Sequence, residues 1–166
     1  NDGSAQRSMV NSLTVTFTSI VDLDSSAFKL VNKNTLAEVG LGFAKSDATG
    51  KTVVTLTFTG SGIVGGSLAD GNYLLTIDLE KNGFGTGSDH QFGAVEADMF
   101  FRFFGDSDGD RDADGTDYFR IRGALNQTAP SSKYLWFFDY DLDNDVDSSD
   151  LSKFALNYRK ILAWMP

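Results

Sequence analysis

The sequence predicts a chain in two parts: an antiparallel β-sandwich over residues 1–98 and a small helical module with two acidic loops over residues 99–166. Three observations predict it. From about Ser8 to Glu80, apolar and β-branched residues alternate with period two between turn residues. Beyond them, two acidic segments repeat at an offset of 33 residues, Asp106 to Asp139. After each acidic segment, apolar residues return at helical spacing.

The strands are expected in order. Leu13, Val15 and Phe17 alternate with Thr14, Thr16 and Thr18. Phe28, Leu30 and Val31 follow an Asp-Ser-Ser turn, and Val39, Leu41 and Phe43 alternate with glycine and polar residues. Lys51 to Gly60 sets Val54, Leu56 and Phe58 against Val53, Thr55, Thr57 and Thr59. Asp70-Gly71-Asn72 then turns the chain into Tyr73, Leu75, Ile77 and Leu79. Residues 81–98 are rich in glycine and read as a loop or linker, where the lone His90, beside Asp89, is expected to be a surface residue. Asp22 and Asp24 are expected to serve a strand-end turn rather than an ion. Asp78 and Glu80 fit a solvated strand face better than a carboxylate pair for glycoside hydrolysis.

The acidic segments, Asp106 to Asp117 and Asp139 to Asp150, carry carboxylates at relative positions 1, 3, 5, 7, 9 and 12. That is the spacing of a loop coiled around a hard divalent cation, which takes six to eight oxygens. The candidate ligands are Asp106, Asp108, Asp110, Asp112, Asp114 and Asp117, and Asp139, Asp141, Asp143, Asp145, Asp147 and Asp150. Two calcium ions are expected, since magnesium prefers a tight octahedron that keeps its waters. Their role is structural, because a loop held open by charge repulsion turns binding free energy into folding free energy. The repeat extends outside the loops: Phe103-Phe104-Gly105-Asp106 matches Phe137-Phe138-Asp139, and Asp114 to Phe119 matches Asp147 to Ser152. Leu151, Phe154, Tyr158 and Ile161 form one helical stripe, and Tyr118, Ile121 and Leu125 form another. The two loop-helix units are expected to pack around the phenylalanines and Trp136, with Trp164 and Tyr140 in the packing rather than stacked on carbohydrate.

The net charge of -9 is local: the two loops hold twelve of the 23 acidic residues and one base, Arg111, and the remainder has 13 bases against 11 acids. The acidity points to captured cations rather than to a solvating tail. With no basic stripe, and aromatics beside carboxylates, nucleic acid is excluded as a partner. No apolar run approaches the roughly 20 residues that span a bilayer, and no signal-peptide pattern opens the chain. Asn1 to Ser4 reads as a fragment boundary or linker, and the fragment is expected to be a monomer. Absence of cysteine excludes disulfides, zinc-thiolate sites and thiol catalysis. Extracellular calcium, which suits loops with Kd of about 10⁻⁴ to 10⁻³ M, favours a secreted or cell-surface location.

The stretches Ser12 to Ser19, Asp24 to Leu30, Val53 to Phe58 and Gly66 to Ile77 resemble bacterial Ig-like domains of large secreted or surface proteins. From about Phe103 to Leu162 the chain resembles EF-hand modules, more closely the dockerin type I-like modules of secreted bacterial proteins, in which position 12 is Asp. The resemblance implies side-chain ligation by Asp106, Asp108 and Asp110, the Asp112 carbonyl, Asp114 through water and bidentate Asp117, with the same roles in the second loop. Two departures matter. Position 6, usually glycine, is Arg111 and Asn144. Position 8, which links paired loops, is Ala113 and Val146. The second site is therefore expected to bind more tightly. The resemblance further implies a non-catalytic docking module for a cohesin-like protein partner, with Gly115-Thr116 and Ser148-Ser149 at positions 10 and 11 influencing partner choice. The alternative is a calcium-rigidified spacer or surface anchor without a dedicated partner. No nucleophile-base pair, cofactor loop or open metal site is legible, so no enzyme is expected.

Overall fold

In a computed structural model of the chain, residues 4–78 and 95–165 are described. Leu79, Glu80, Asp89 and His90, weighed above, lie outside them, as do Asn1, Asp2 and Gly3. The elements are β1 (Ser12–Phe17), β2 (Phe28–Asn32), β3 (Glu38–Ala48), β4 (Lys51–Thr59), β5 (Ile63–Val64), β6 (Ser67–Leu68), β7 (Gly71–Asp78), β8 (Val95–Arg102), α1 (Gly115–Ala124), β9 (Gln127–Thr128), β10 (Asp145–Val146) and α2 (Ser148–Asn157). They fall into two compact units, a sheet unit with residues 12–62, 72–78 and 95–100, and a loop unit with residues 4–11, 63–71 and 101–165.

Six strands make one curled sheet in the order β1-β4-β3-β2-β7-β8, with antiparallel pairing from β1 through β7. The registers set like faces together: Leu13 opposite Leu56, Val15 opposite Val54, Leu30 opposite Leu75. Val54, Leu56 and Leu30 are buried, while Thr14 and Thr16 are exposed. Gly40 and Gly42 are required by their neighbours, because a Cβ at either would collide with the Thr59 or Thr57 hydroxyl across the ladder. The β3–β4 hairpin turns on Thr49 and Gly50 at φ of 56° and 77°, the double left-handed geometry that matches strand twist. Asp24 caps a 3-10 turn at Ser25–Ala27 by accepting from the Ser26 N–H at 2.7 Å, and Asp22 sits 3.6 Å from the Lys45 ammonium. Both thus have structural partners. Period-two alternation specifies strands and their faces; it does not specify how strands divide among sheets.

The loop unit is not the contiguous block 99–166 expected from the sequence. Met9 joins Phe101, Phe103, Phe104, Ala113, Ile121, Ala124, Phe138, Val146 and Phe154 in its core. Tyr118, Tyr134, Trp136, Phe137, Tyr140, Leu151 and Tyr158 pack around them. Val10 binds this unit through Ser67, whose hydroxyl accepts from the Val10 N–H at 2.8 Å and donates to its carbonyl at 3.0 Å. Short apolar runs such as Met9-Val10 and Ser67-Leu68 look like any strand start, so composition assigns them to the nearer block.

Both helices form, but each starts at position 10, inside its acidic loop rather than after it. Asp114 and Asp147 accept from the N–H groups of Thr116 and Ser149, and Asp117 and Asp150 reach back to the cap N–H groups, giving two complete capping boxes. Helix α2 ends at Asn157, one turn earlier than the stripe implied, because Tyr158 leaves the helical region and Arg159 is left-handed at φ 63°. Ile161 therefore lies outside the helix and is exposed. Among the described residues, no helix is long and apolar enough to cross a membrane.

Candidate metal loops

Positions 1 and 12 of both loops, Asp106, Asp117, Asp139 and Asp150, are buried. Backbone amides of the loop itself hold them. Asp106 accepts from the N–H groups of Gly109 and Arg111 at 2.5 and 2.9 Å. Asp139 accepts from those of Asp143 and Asn144 at 3.2 and 3.0 Å. The position-12 carboxylates repeat one another too: Asp117 accepts from Ser107 and Asp114, and Asp150 from Tyr140 and Asp147, through backbone N–H groups at 2.7 or 2.8 Å. The loops thus coil back on their first and last carboxylates.

Coiling brings acidic oxygens together. Asp106, Asp108 and Asp117 offer oxygens within 4.8 Å of one another, as do Asp112, Asp114 and Asp117. In the second loop the same is true of Asp139, Asp141 and Asp150, and of Asp145, Asp147 and Asp150. Asp110 and Asp143, at position 5, belong to no such group among the described residues; their carboxylates accept from the Asp112 and Asp145 N–H groups at 3.1 Å. At position 7 the resemblance implied a backbone carbonyl. In the structure the Asp112 side chain lies with those of Asp114 and Asp117, and the Asp145 side chain with those of Asp147 and Asp150, and Oδ1 of both Asp112 and Asp145 is buried without a hydrogen-bond partner.

The electrostatics are those of desolvated anions. Burial pushes the Asp106 and Asp150 carboxyls up to about 6, against the pull of two amides each. Burial and neighbouring aspartates also raise Asp108, Asp112 and Asp145 above the ordinary carboxylate range. Among the described residues, no lysine or arginine forms an ion pair with these twelve carboxylates. An all-oxygen anionic donor set with two symmetric orphaned oxygens fits a hard divalent cation and suits softer transition metals poorly.

Positions 6 to 8 pair crosswise. Arg111 and Asn144 both take positive φ, at 80° and 72°. Instead of bonding to each other, the loops pair with the segment that follows the other repeat's helix. Arg159 N–H donates to the Ala113 carbonyl and Leu162 N–H to that of Arg111, at 2.7 and 2.8 Å. At the ends of the β9–β10 pair, Asn126 N–H donates to the Val146 carbonyl and Ala129 N–H to that of Asn144, at 2.7 and 2.9 Å. These pairs are related by the repeat offset of 33.

Arg111 has a compensation that sequence reading missed. Its guanidinium lies 4.1 Å from the Phe101 ring centre and 4.4 Å from that of Trp164. Two cation–π contacts of about 0.5–1 kcal/mol each offset a left-handed penalty of about 1–2 kcal/mol. Arg111→Gly is therefore expected to stay within about 1 kcal/mol of the parent, whereas Arg111→Ala keeps the strain, loses the stacking and costs about 1–2 kcal/mol. Urea unfolding followed by tryptophan fluorescence checks this, and equal stability of both variants would rule the compensation out.

Tyr134 was also missed. Its hydroxyl donates to Asp139 at 2.6 Å, and burial together with that carboxylate holds the phenol above its ordinary range. Nothing in the spacing marks a tyrosine five residues before a loop. Ser107 Oγ likewise donates to Asp117 at 2.7 Å, and Arg120 donates to the Ser107 carbonyl.

Fold and site together define a mostly antiparallel β protein with a duplicated acidic loop-helix unit. No protein-family model, curated protein or solved structure matches the chain.

Proposed function

We propose that the loop unit is a calcium-binding module that takes two ions, and that it belongs to a secreted, non-enzymatic multidomain protein of dockerin-like and Ig-like organisation. The observation that carries the proposal is the repetition of one geometry: in each loop a buried position-12 aspartate stands between two groups of carboxylate oxygens. When bound, an ion supplies positive charge that relieves the repulsion and desolvation of these anions. Asp106, Asp108, Asp112, Asp114 and Asp117 would hold one ion, with Asp110 able to join them, and the matching residues of the second loop the other. The module's role is docking to a cohesin-like partner, for which the outward residues Thr116 and Phe119 on α1, and Ser148, Ser149 and Leu156 on α2, offer an accessible surface.

Calorimetric titration of calcium into metal-free protein, with near-ultraviolet circular dichroism in parallel, tests the metal reading. Two binding events with gained aromatic signal are expected. Absence of heat and signal at millimolar calcium would dismiss it. A pull-down from culture supernatant, with and without calcium, then separates docking from the spacer role: calcium-dependent capture of one partner supports docking, and none supports the spacer.

A further inference from the structure

A carboxylate outside both loops ties the entry of the first loop to the end of α2. Asp70 follows β6, and its Oδ1 accepts from the Arg102 guanidinium at 2.5 Å and from the Phe104 N–H at 2.6 Å. Its Oδ2 accepts from the Asn157 side-chain amide at 2.7 Å, and the same amide donates to the Phe104 carbonyl at 3.0 Å. Arg102 is itself buried, with its guanidinium 5.3 Å from the Phe104 ring centre and 3.3 Å from Met9 Sδ. The Asp70 carboxylate is therefore held by a group that packing has already fixed.

What Asp70 holds leads straight into the first loop. Phe104 lies inside a tight turn in which the Asp106 N–H donates to the Phe103 carbonyl at 3.0 Å. Asp106 is position 1. Asn157, at the other end of the tie, closes α2, whose first turn carries Asp150. The repeat has no counterpart for the second loop, since the offset of 33 sets Ala124, which has no donor, in the place of Asn157, and Phe137 in that of Phe104. Restraint from Asp70 thus falls on one loop.

We infer that Asp70 is a positioning residue for the first metal loop: it fixes the turn Phe103–Asp106 against the end of α2, so that the loop's first carboxylate is in place before an ion arrives. The inference rests on the calcium reading above. A loop ordered in advance loses less entropy on binding, and affinity rises accordingly.

The test uses the full chain with one loop silenced at a time through exposed ligands, Asp141→Ala with Asp143→Ala for the second loop and Asp108→Ala with Asp110→Ala for the first. Into each background go Asp70→Asn and, as a milder break that keeps the carboxylate, Asn157→Ala. Calcium affinity is read by calorimetry, and the fold by tryptophan fluorescence, which reports on the loop unit alone because Trp136 and Trp164 are the chain's two tryptophans. The expected result is a first loop weakened about tenfold by Asp70→Asn and severalfold by Asn157→Ala, with the second loop within about twofold of its background. Equal weakening of both loops, or unchanged affinity with only a lower unfolding midpoint, would overturn the inference by reducing Asp70 to general stabilisation. If Asp70→Asn fails to fold, unchanged first-loop affinity in Asn157→Ala overturns it alone. A parent chain that takes up no calcium would instead sink the metal reading, and this inference with it.

Discussion

Asp150→Ala is expected to remove one of two calcium-binding events and to cost on the order of 3–5 kcal/mol of stability, the largest effect of any single substitution considered. The residue is buried and does three jobs with two oxygens. It accepts from the Tyr140 N–H, accepts from the Asp147 N–H to complete the capping box of α2, and stands in both carboxylate groups of its loop. Alanine strands two amides, at about 1–3 kcal/mol for each that is left without water, and loses a cap contribution of about 1 kcal/mol. Asp150→Asn keeps one acceptor and is expected to fall between alanine and the parent in stability while still losing the ion. Calorimetric stoichiometry and urea unfolding read the two effects separately. Two ions retained by Asp150→Ala would remove this residue from the site.

The second large effect is a reversal of pH dependence by calcium. Asp106 and Asp150 have carboxyls raised to about 6 in the folded chain, from an ordinary value of 3.8, chiefly by burial. A group whose pKa is raised by folding holds its proton better in the folded state. Its contribution is complete below about pH 4 and disappears as pH climbs past 6, on the order of 2–3 kcal/mol for each carboxyl. Metal-free protein is therefore expected to be more stable at pH 4.5 than at pH 7.5. On the proposed calcium reading, an ion binds the ionised carboxylates and displaces their protons, so stability in millimolar calcium is expected to rise over the same interval. Thermal unfolding at the two pH values, with and without calcium, tests this. A metal-free chain that gains stability between pH 4.5 and 7.5 would contradict the burial argument.

The parts of this protein that sequence reading reached are those governed by local periodicity. Alternation at Leu13, Val15 and Phe17, or at Val54 and Leu56, marks strands because one face must leave water. Apolar spacing at Tyr118 and Ile121, and at Leu151 and Phe154, marks the two helices, whereas the capping boxes at Asp114 and Asp147 are a signal within four residues that the sequence reading left unused. What was not legible depends on residues distant in sequence. At Arg111 the compensation for a left-handed backbone comes from the rings of Phe101 and Trp164, one of them far along the chain. Ile161 fitted the helical stripe, yet the strand-like bond of Leu162 to Arg111 draws the chain out of the helix before it. Asp70 read as a turn residue because its partners lie 32, 34 and 87 positions away. Position 8 suggested that the loops bond to each other, whereas each bonds to the other repeat's tail.

The chain's opening segment carries a consequence for how damage spreads through the molecule. Arg7 N–H donates to the Asp106 carbonyl at 2.9 Å, the Arg7 carbonyl accepts from Phe103 at 2.9 Å, and Ser8 Oγ accepts from the Gly105 N–H at 2.9 Å. Gly109, inside the first loop, leaves no room for a Cβ against the Ala5 carbonyl. Trimming from the amino terminus is thus expected to injure the far half of the sequence before the near half. Loss of residues 1–10 would redden tryptophan emission while the β1–β4 ladder, which starts at Ser12, keeps all its rungs. Distance along the chain is a poor guide to where a truncation is felt.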